Sequence, residues 1–303
     1  MRRRPKRRGT RLRLSQDPDF LLAPMPELPE VEAVVRTLRP LVQGRHIRCV
    51  HVFHPIAVKP QPARRLAEFA TNRPIERVER KGKYVLLLLD RGLITMHFRL
   101  DGQLVWFADG KELLQRANVQ GSGVHVDVAF ELSKGVLGFA DRRHFGRVYG
   151  WDSVEDSSGL VSLGVDALSK DFTVAAFREL LAGSVRPLKD FLLDQTRVAG
   201  LGNIYSCESL WHARLDPRRR AKSLRPDEAR RLHKAIVSVL ARALECCLHP
   251  APDFRDSQWW FQGLEKILRA YDREGEPCRR CGAAIQRIEQ GGRSTYWCRG
   301  CQK

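Results

Sequence analysis

The 303-residue chain is 43% hydrophobic and 29% charged, the composition of a globular protein with room for two or three modest cores. Its 53 Lys+Arg against 35 Asp+Glu give +18, which points to a polyanionic partner, nucleic acid above all. No apolar run reaches the roughly 18 residues of a membrane span and the start lacks a signal-peptide core, so an intracellular, cytoplasmic and nucleoid-associated monomer with no membrane contact is expected.

Residues 1–24 carry eight basic and two acidic side chains, leaving +12 for the rest, so the basic excess is not confined to this extension. It shows no core-forming pattern and is expected to be disordered or not translated. Residues 29–42 put Val31, Val34, Val35, Leu38 and Val42 on one helical face, with Pro29 in the first turn. From about 47 to 150 short β-prone runs follow, among them "IRCVHVF", "YVLLLLD", "GLITMHF", "GVHVDVAFEL" and "GRVYGW". Gly- and Ser-rich residues 152–166 suggest a linker. Helical patterns then run from 173 to 248, and a Cys-rich module closes the chain. The expected class is α+β: a β-sandwich with a leading helix (25–155), a linker (156–172), a helical domain (173–268) and a small metal module (269–303).

The strongest local signal is "CRRC" (278–281) with "CRGC" (298–301). Thiolates from two tight turns make a closed tetrahedral Zn²⁺ site, so one structural zinc on Cys278, Cys281, Cys298 and Cys301 is expected. The stretch between them has a Gly-Gly turn and reads as a hairpin. In "VAGLGNIYSCESL" (198–210), two glycines precede Asn203, a suitable N-cap, and such a helix start can hold a phosphate or serve geometry alone. The other four cysteines, Cys49, Cys207, Cys246 and Cys247, read as small core residues.

Together with "PELPEVE" (26–32), "KGKY" (81–84) and "DRRHFG" (141–146), these motifs resemble the formamidopyrimidine-DNA glycosylase/endonuclease VIII family over about 25–303. "PELPEVE" and "YWCRGCQK" are closer to its formamidopyrimidine branch. The resemblance implies a helix–two-turn–helix domain and a zinc finger. It also implies a bifunctional enzyme that flips oxidised bases such as 8-oxoguanine and formamidopyrimidines out of duplex DNA, excises them, and cuts the strand at the abasic site by β,δ-elimination. It makes the amine of Pro26 the Schiff-base nucleophile and Glu27 the proton donor, with Glu30 orienting the amine. An α-amine suits the task, being about 10% neutral at pH 7 against well under about 0.1% for an ordinary lysine. Lys83 and Arg293 are implied as phosphate grips that also donate protons in the β- and δ-eliminations. His97, Lys189 and Asn203 are implied to contact DNA. Leu100, Arg143 and Phe145 are implied to fill the space left by the flipped base.

The chain departs from the family pattern in places. Leu100 stands where methionine is common, and His144 stands where "DPRRFG" has arginine, which bears on the choice of opposite base. The stretch 249–278 lacks the usual Gly/Thr-rich loop. Two other readings stand beside the first: an endonuclease VIII-type enzyme for oxidised pyrimidines, and a non-catalytic zinc-dependent damage binder. The endonuclease VIII-type enzyme runs the same chemistry and differs in the lesion it prefers; a free Pro26 separates both enzymes from the binder, because a proline nitrogen inside a peptide bond has no lone pair to give. Initiation at Met25 followed by Met removal is the favoured route to a free Pro26.

Overall fold

The computed structural model describes residues 25–108, 125–249, 254 and 263–303. The 1–24 extension and part of the divergent stretch ahead of the finger, residues 250–253 and 255–262, lie outside these residues. Helix α1 (Leu28–Val42) buries Leu28, Val31, Val34, Val35, Leu38 and Val42, the face expected from their spacing.

Eight antiparallel strands follow: β1 (His46–Val52), β2 (Arg73–Lys81), β3 (Tyr84–Leu89), β4 (Leu93–His97), β5 (Gln103–Phe107), β6 (Val126–Leu132), β7 (Val136–Ala140) and β8 (Arg147–Trp151). Their order is β5-β7-β6-β1-β2-β3-β4-β8. Only two residue pairs, His46 with Pro74 and Ile47 with Arg73, join β1 to β2, so the sheet is two four-stranded halves meeting at a narrow seam. Val85, Leu87, Ile94 and Met96 of one half share a core with Val128, Phe130, Leu137 and Phe139 of the other.

Two elements here differ from the sequence expectation. Helix α2 (Ala63–Ala70) interrupts the β region and buries Leu66 and Ala70. Strand β2, "RPIERVERK", was not anticipated because so few of its side chains are apolar: only Ile75 and Val78 are buried.

The linker is tied into the fold. Within it β9 (Val165–Asp166) pairs in parallel with β10 (Val198–Ala199), and Asp166 accepts from Arg80 Nη2 at 2.8 Å and from the Gly82 amide at 2.9 Å. The helical part comprises α3 (Val174–Ala182), capped by Thr173, α4 (Leu188–Leu193), α5 (Asn203–Ala213) and α6 (Pro226–Leu248). Helix α1 packs on α6, so the leading helix bridges the β-rich and helical parts. At the end, β11 (Gln286–Gln290) and β12 (Arg293–Trp297) form the expected hairpin. Gly291 and Gly292 both have positive φ, the backbone that a two-residue hairpin turn of this kind requires. Among the described residues no helix is long and apolar enough to cross a membrane.

Candidate active site

Glu27 caps α1 from a buried position, and its backbone N–H donates to Glu30 Oε2 at 2.8 Å. Its own carboxylate points away from that helix. It accepts the amides of Gly202 at 2.6 Å, Ile204 at 2.8 Å and Tyr205 at 3.4 Å, the free N–H groups at the start of α5. The glycine-rich helix start thus holds a carboxyl group of the chain itself, that of Glu27. The cap of α5 is Gly202 rather than Asn203, which is the first helical residue, so the helix starts one position earlier than the sequence suggests. A Cβ on Gly202 would fall 2.4 Å from Glu27 Cδ and 2.6 Å from Lys83 Nζ, so any side chain there would have to displace both groups.

Lys83 reaches this point from the two-residue turn between β2 and β3, where Gly82 supplies the positive φ. Burial draws the ammonium below its ordinary pKa; the Glu27 charge opposes this and the Arg293 charge adds to it. Burial raises Glu27 above the ordinary carboxyl value, while Lys83 and the three amides pull it back. Glu30, also fully buried, is pushed up to about 7 by burial and then by the adjacent Glu27 charge. Its Oε1 accepts from the Tyr205 hydroxyl. The site therefore brings a buried carboxyl and a buried amine together beside Gly202, with a second carboxyl that holds its proton to near neutrality.

Pro26 is buried directly before Glu27, its nitrogen in the peptide bond to Met25. Arg293 begins β12 at the tip of the hairpin. Asn203 Nδ2 and Lys189 Nζ both donate to Ser294 O, at 3.0 and 2.9 Å, and Lys189 also donates to Thr295 Oγ1 at 2.6 Å. Lys189 is fully buried, so its ammonium serves the hairpin and does not face solvent where DNA would lie. Burial, with Arg99 and Lys83 adding, lowers His97 to about 3, and the ring stands edge-on to Tyr84 as a neutral imidazole.

A second group lies on the loops after β4 and β7. Leu100 and Phe145 are 40% and 48% exposed, among the few large apolar side chains left in water. Arg143 lies over the Phe145 ring at 5.5 Å and pairs with Asp101, which draws the two loops together. Asp141 accepts the Arg143 and Gly146 amides, and Arg147 Nη1 donates to the carbonyls of His144, Phe145 and Gly146. Neither Asp141 nor Arg147 was singled out from sequence, although both lie in or beside "DRRHFG".

The four cysteines of the finger converge. Cys278 and Cys301 sulfurs are 3.7 Å apart, Cys281 and Cys298 are 3.4 Å apart, and Cys281 and Cys301 are 3.8 Å apart. A tetrahedron of sulfurs at Zn–S near 2.3 Å has edges of about 3.8 Å, so the cluster fits a closed zinc site. Trp211 Nε1 donates to Cys278 Sγ at 3.4 Å, fastening the finger to α5.

Models of the formamidopyrimidine-DNA glycosylase N-terminal domain, of its H2TH domain, and of the zinc finger found in FPG and IleRS match residues 25–148, 163–248 and 275–303. The formamidopyrimidine-DNA glycosylase of Pelotomaculum thermopropionicum is 39% identical over 92% of this chain and 99% of its own. The chain belongs to the formamidopyrimidine-DNA glycosylase family. The Chloroflexus aurantiacus member is 38% identical over 92% of this chain and 98% of its own. The Lactococcus lactis glycosylase bound to DNA containing an AP site superposes with a TM-score of 0.79 at 30% identity, covering 91% of this chain and 99% of that one. MutM in complex with DNA containing carbocyclic 8-oxo-G gives 0.79 at 31% identity, covering 92% and 100%. In this family member the leading helix, the H2TH helix start and the finger hairpin meet around Glu27, Lys83 and Arg293.

Proposed function

We propose that this chain excises oxidised purines from duplex DNA and cleaves the strand at the resulting abasic site, with a free Pro26 amine as nucleophile. The observation that carries the reading is Glu27, buried beside Pro26, clasped by three amides of α5 and facing Lys83. Once free, the Pro26 nitrogen bonds to C1′ as the glycosidic bond breaks and the base departs with a proton. Glu27, whose burial favours its protonated form, gives a proton to the deoxyribose ring oxygen; the C1′–O4′ bond opens and a cationic iminium remains. That iminium is the electron sink as the C2′ proton is lost with the 3′ phosphate and then the C4′ proton with the 5′ phosphate, the Glu27 carboxylate left by the first transfer serving as the base. Lys83 and Arg293 hold the flanking phosphates and protonate the leaving groups.

Leu100, Arg143 and Phe145 enter the stack where the lesion has left it, Arg143 turning from Asp101 to the orphaned base. Asn203 touches the backbone near Arg293, His97 lines the nucleotide side of Lys83 as a neutral ring, and Lys189 acts on DNA only through the hairpin it fastens. One Zn²⁺ on Cys278, Cys281, Cys298 and Cys301 sets the finger, and with no open ligand position it takes no part in the chemistry. The protein works as an intracellular, nucleoid-associated monomer.

The test is borohydride trapping on paired duplexes. A chain beginning at Pro26 should form a covalent adduct and release 8-oxoguanine faster than thymine glycol, and Glu27→Gln should abolish excision. A faster reaction on thymine glycol would move the protein to the pyrimidine-specific reading, and lesion binding without any adduct would make it a binder.

A further inference from the structure

Beneath the Arg143–Phe145 loop, three residues from separate segments come together. His54 precedes a short 3₁₀ turn, Asp127 lies on β6, and His144 follows Arg143. One donor atom of each lies within 4.8 Å of the others. His144 Nδ1 is 2.8 Å from Asp127 Oδ1, and the His54 and His144 rings are 4.7 Å apart between centroids. Asp127 is completely buried, yet its Oδ2 has no hydrogen-bond partner. A buried carboxylate oxygen without a donor is costly and calls for a physical reason.

The surroundings hold the trio in place. The amides of Phe53 and His54 both donate to Asp127 O, at 2.9 and 3.2 Å, locking the His54 segment onto β6. His144 adopts the left-handed region at φ 55°, which histidine tolerates better than most residues, and the Asp141 and Arg147 bonds on either side hold it there. His54 is exposed, which gives an ion a way in.

We propose that His54, Asp127 and His144 form a second metal site, for a divalent first-row transition ion of the zinc class, separate from the four-cysteine finger. Two imidazoles and one carboxylate suit Zn²⁺, Co²⁺ or Ni²⁺ and not Mg²⁺ or Ca²⁺. Metal–nitrogen and metal–oxygen bonds near 2.0–2.1 Å put tetrahedral donors about 3.3 Å apart, within the present spread, so small side-chain rotations complete the site. The ion gives the orphaned Asp127 oxygen a partner and replaces the single His144 hydrogen bond with a stronger tie. It thereby fixes the loop that presents Arg143 and Phe145, and it leaves a fourth position for water. The proposal stands independently of the catalytic reading above.

The test is a titration of the full chain, its finger already filled with Zn²⁺, using Co²⁺ as the probe. One further equivalent should bind, with visible d–d absorption and no thiolate charge-transfer band. His54→Ala and His144→Arg should each abolish that equivalent while the finger keeps its zinc. Because His54 lies exposed in a turn, His54→Ala alone decides if the His144 variant is unstable. No second equivalent, a thiolate band showing exchange into the finger, or binding that survives in His54→Ala would overturn the proposal.

Discussion

The Gly202 amide donates to Glu27 Oε2 at 2.6 Å across 175 residues of sequence. The acid that follows Pro26 is therefore oriented by a helix of another part of the chain. Gly202→Ala would drive a methyl group into Glu27 and the Lys83 ammonium. A displacement of that size should lower base excision by about 10²-fold in single-turnover assays, with the fold kept. Excision within about threefold of the parent would mean that Glu27 is not held for catalysis.

Glu30 should make stability depend on pH. Its folded value of about 7 lies above the ordinary 4.5, so folding takes up a proton. Its contribution is fully present below about pH 4.5 and is lost as pH rises through about 7, by on the order of 3 kcal/mol. Glu30→Gln, neutral throughout, should flatten the profile of unfolding free energy between pH 5 and 8. Parallel profiles for parent and variant would rule Glu30 out as the titrating group.

Lys189 and Arg293 should behave as one unit. Arg293→Ala should reduce the slope of log affinity against log salt by about one. Lys189→Met leaves Arg293 present but frees the hairpin from α4, so it should weaken binding with little further effect in the double variant. Full additivity of the two would return Lys189 to the DNA-contacting set.

Zinc removal should separate fold from binding. Stripping the metal with a chelator, or Cys298→Ala, should abolish lesion-DNA binding while the β-rich part keeps its far-UV spectrum, because the bonds from Trp211 to Cys278 and from Asn203 to Ser294 fasten the finger to α5. Stoichiometric zinc absent from freshly purified protein would contradict the site itself.

The peptide bond before Pro26 gives the sharpest comparison. A chain produced from Met25, with Met removed, should form the trapped adduct and nick on both sides of the lesion. A verified, uncleaved 303-residue chain should do neither, because its Pro26 nitrogen is a tertiary amide. Lyase activity from the intact longer chain would remove Pro26 as the nucleophile.

Much of this architecture was legible before the structure. The face of α1, the Gly-Gly hairpin and the cysteine pairs each carry a local period or a turn residue that dictates one geometry. Strand β2 was hidden because its outward side chains are charged along almost the whole length, leaving Ile75 and Val78 as the only apolar signal. Pairing across long separations was hidden too: nothing near Glu27 announces that its ligands are the amides of residues 202, 204 and 205. The same holds for Lys189, for which the resemblance implies a DNA contact and nothing nearby in sequence signals the bonds to Ser294 and Thr295 that enclose it. His54 and Asp127 belong to no motif, and only the fold brings them to His144.

The clasp on Glu27 also governs when the chain becomes chemically competent during its own synthesis. A nascent polypeptide that has emerged only as far as β8 already carries Pro26, Glu27 and Lys83, but the amides that tune the acid are still some fifty residues from the ribosome exit. An abortive product of that length would carry Glu27 and Lys83 without the amides that orient the acid, and without α5 or the hairpin that bears Arg293. The clasp completes the Glu27 site only once α5 has been made, and the Arg293 hairpin follows still later in the chain.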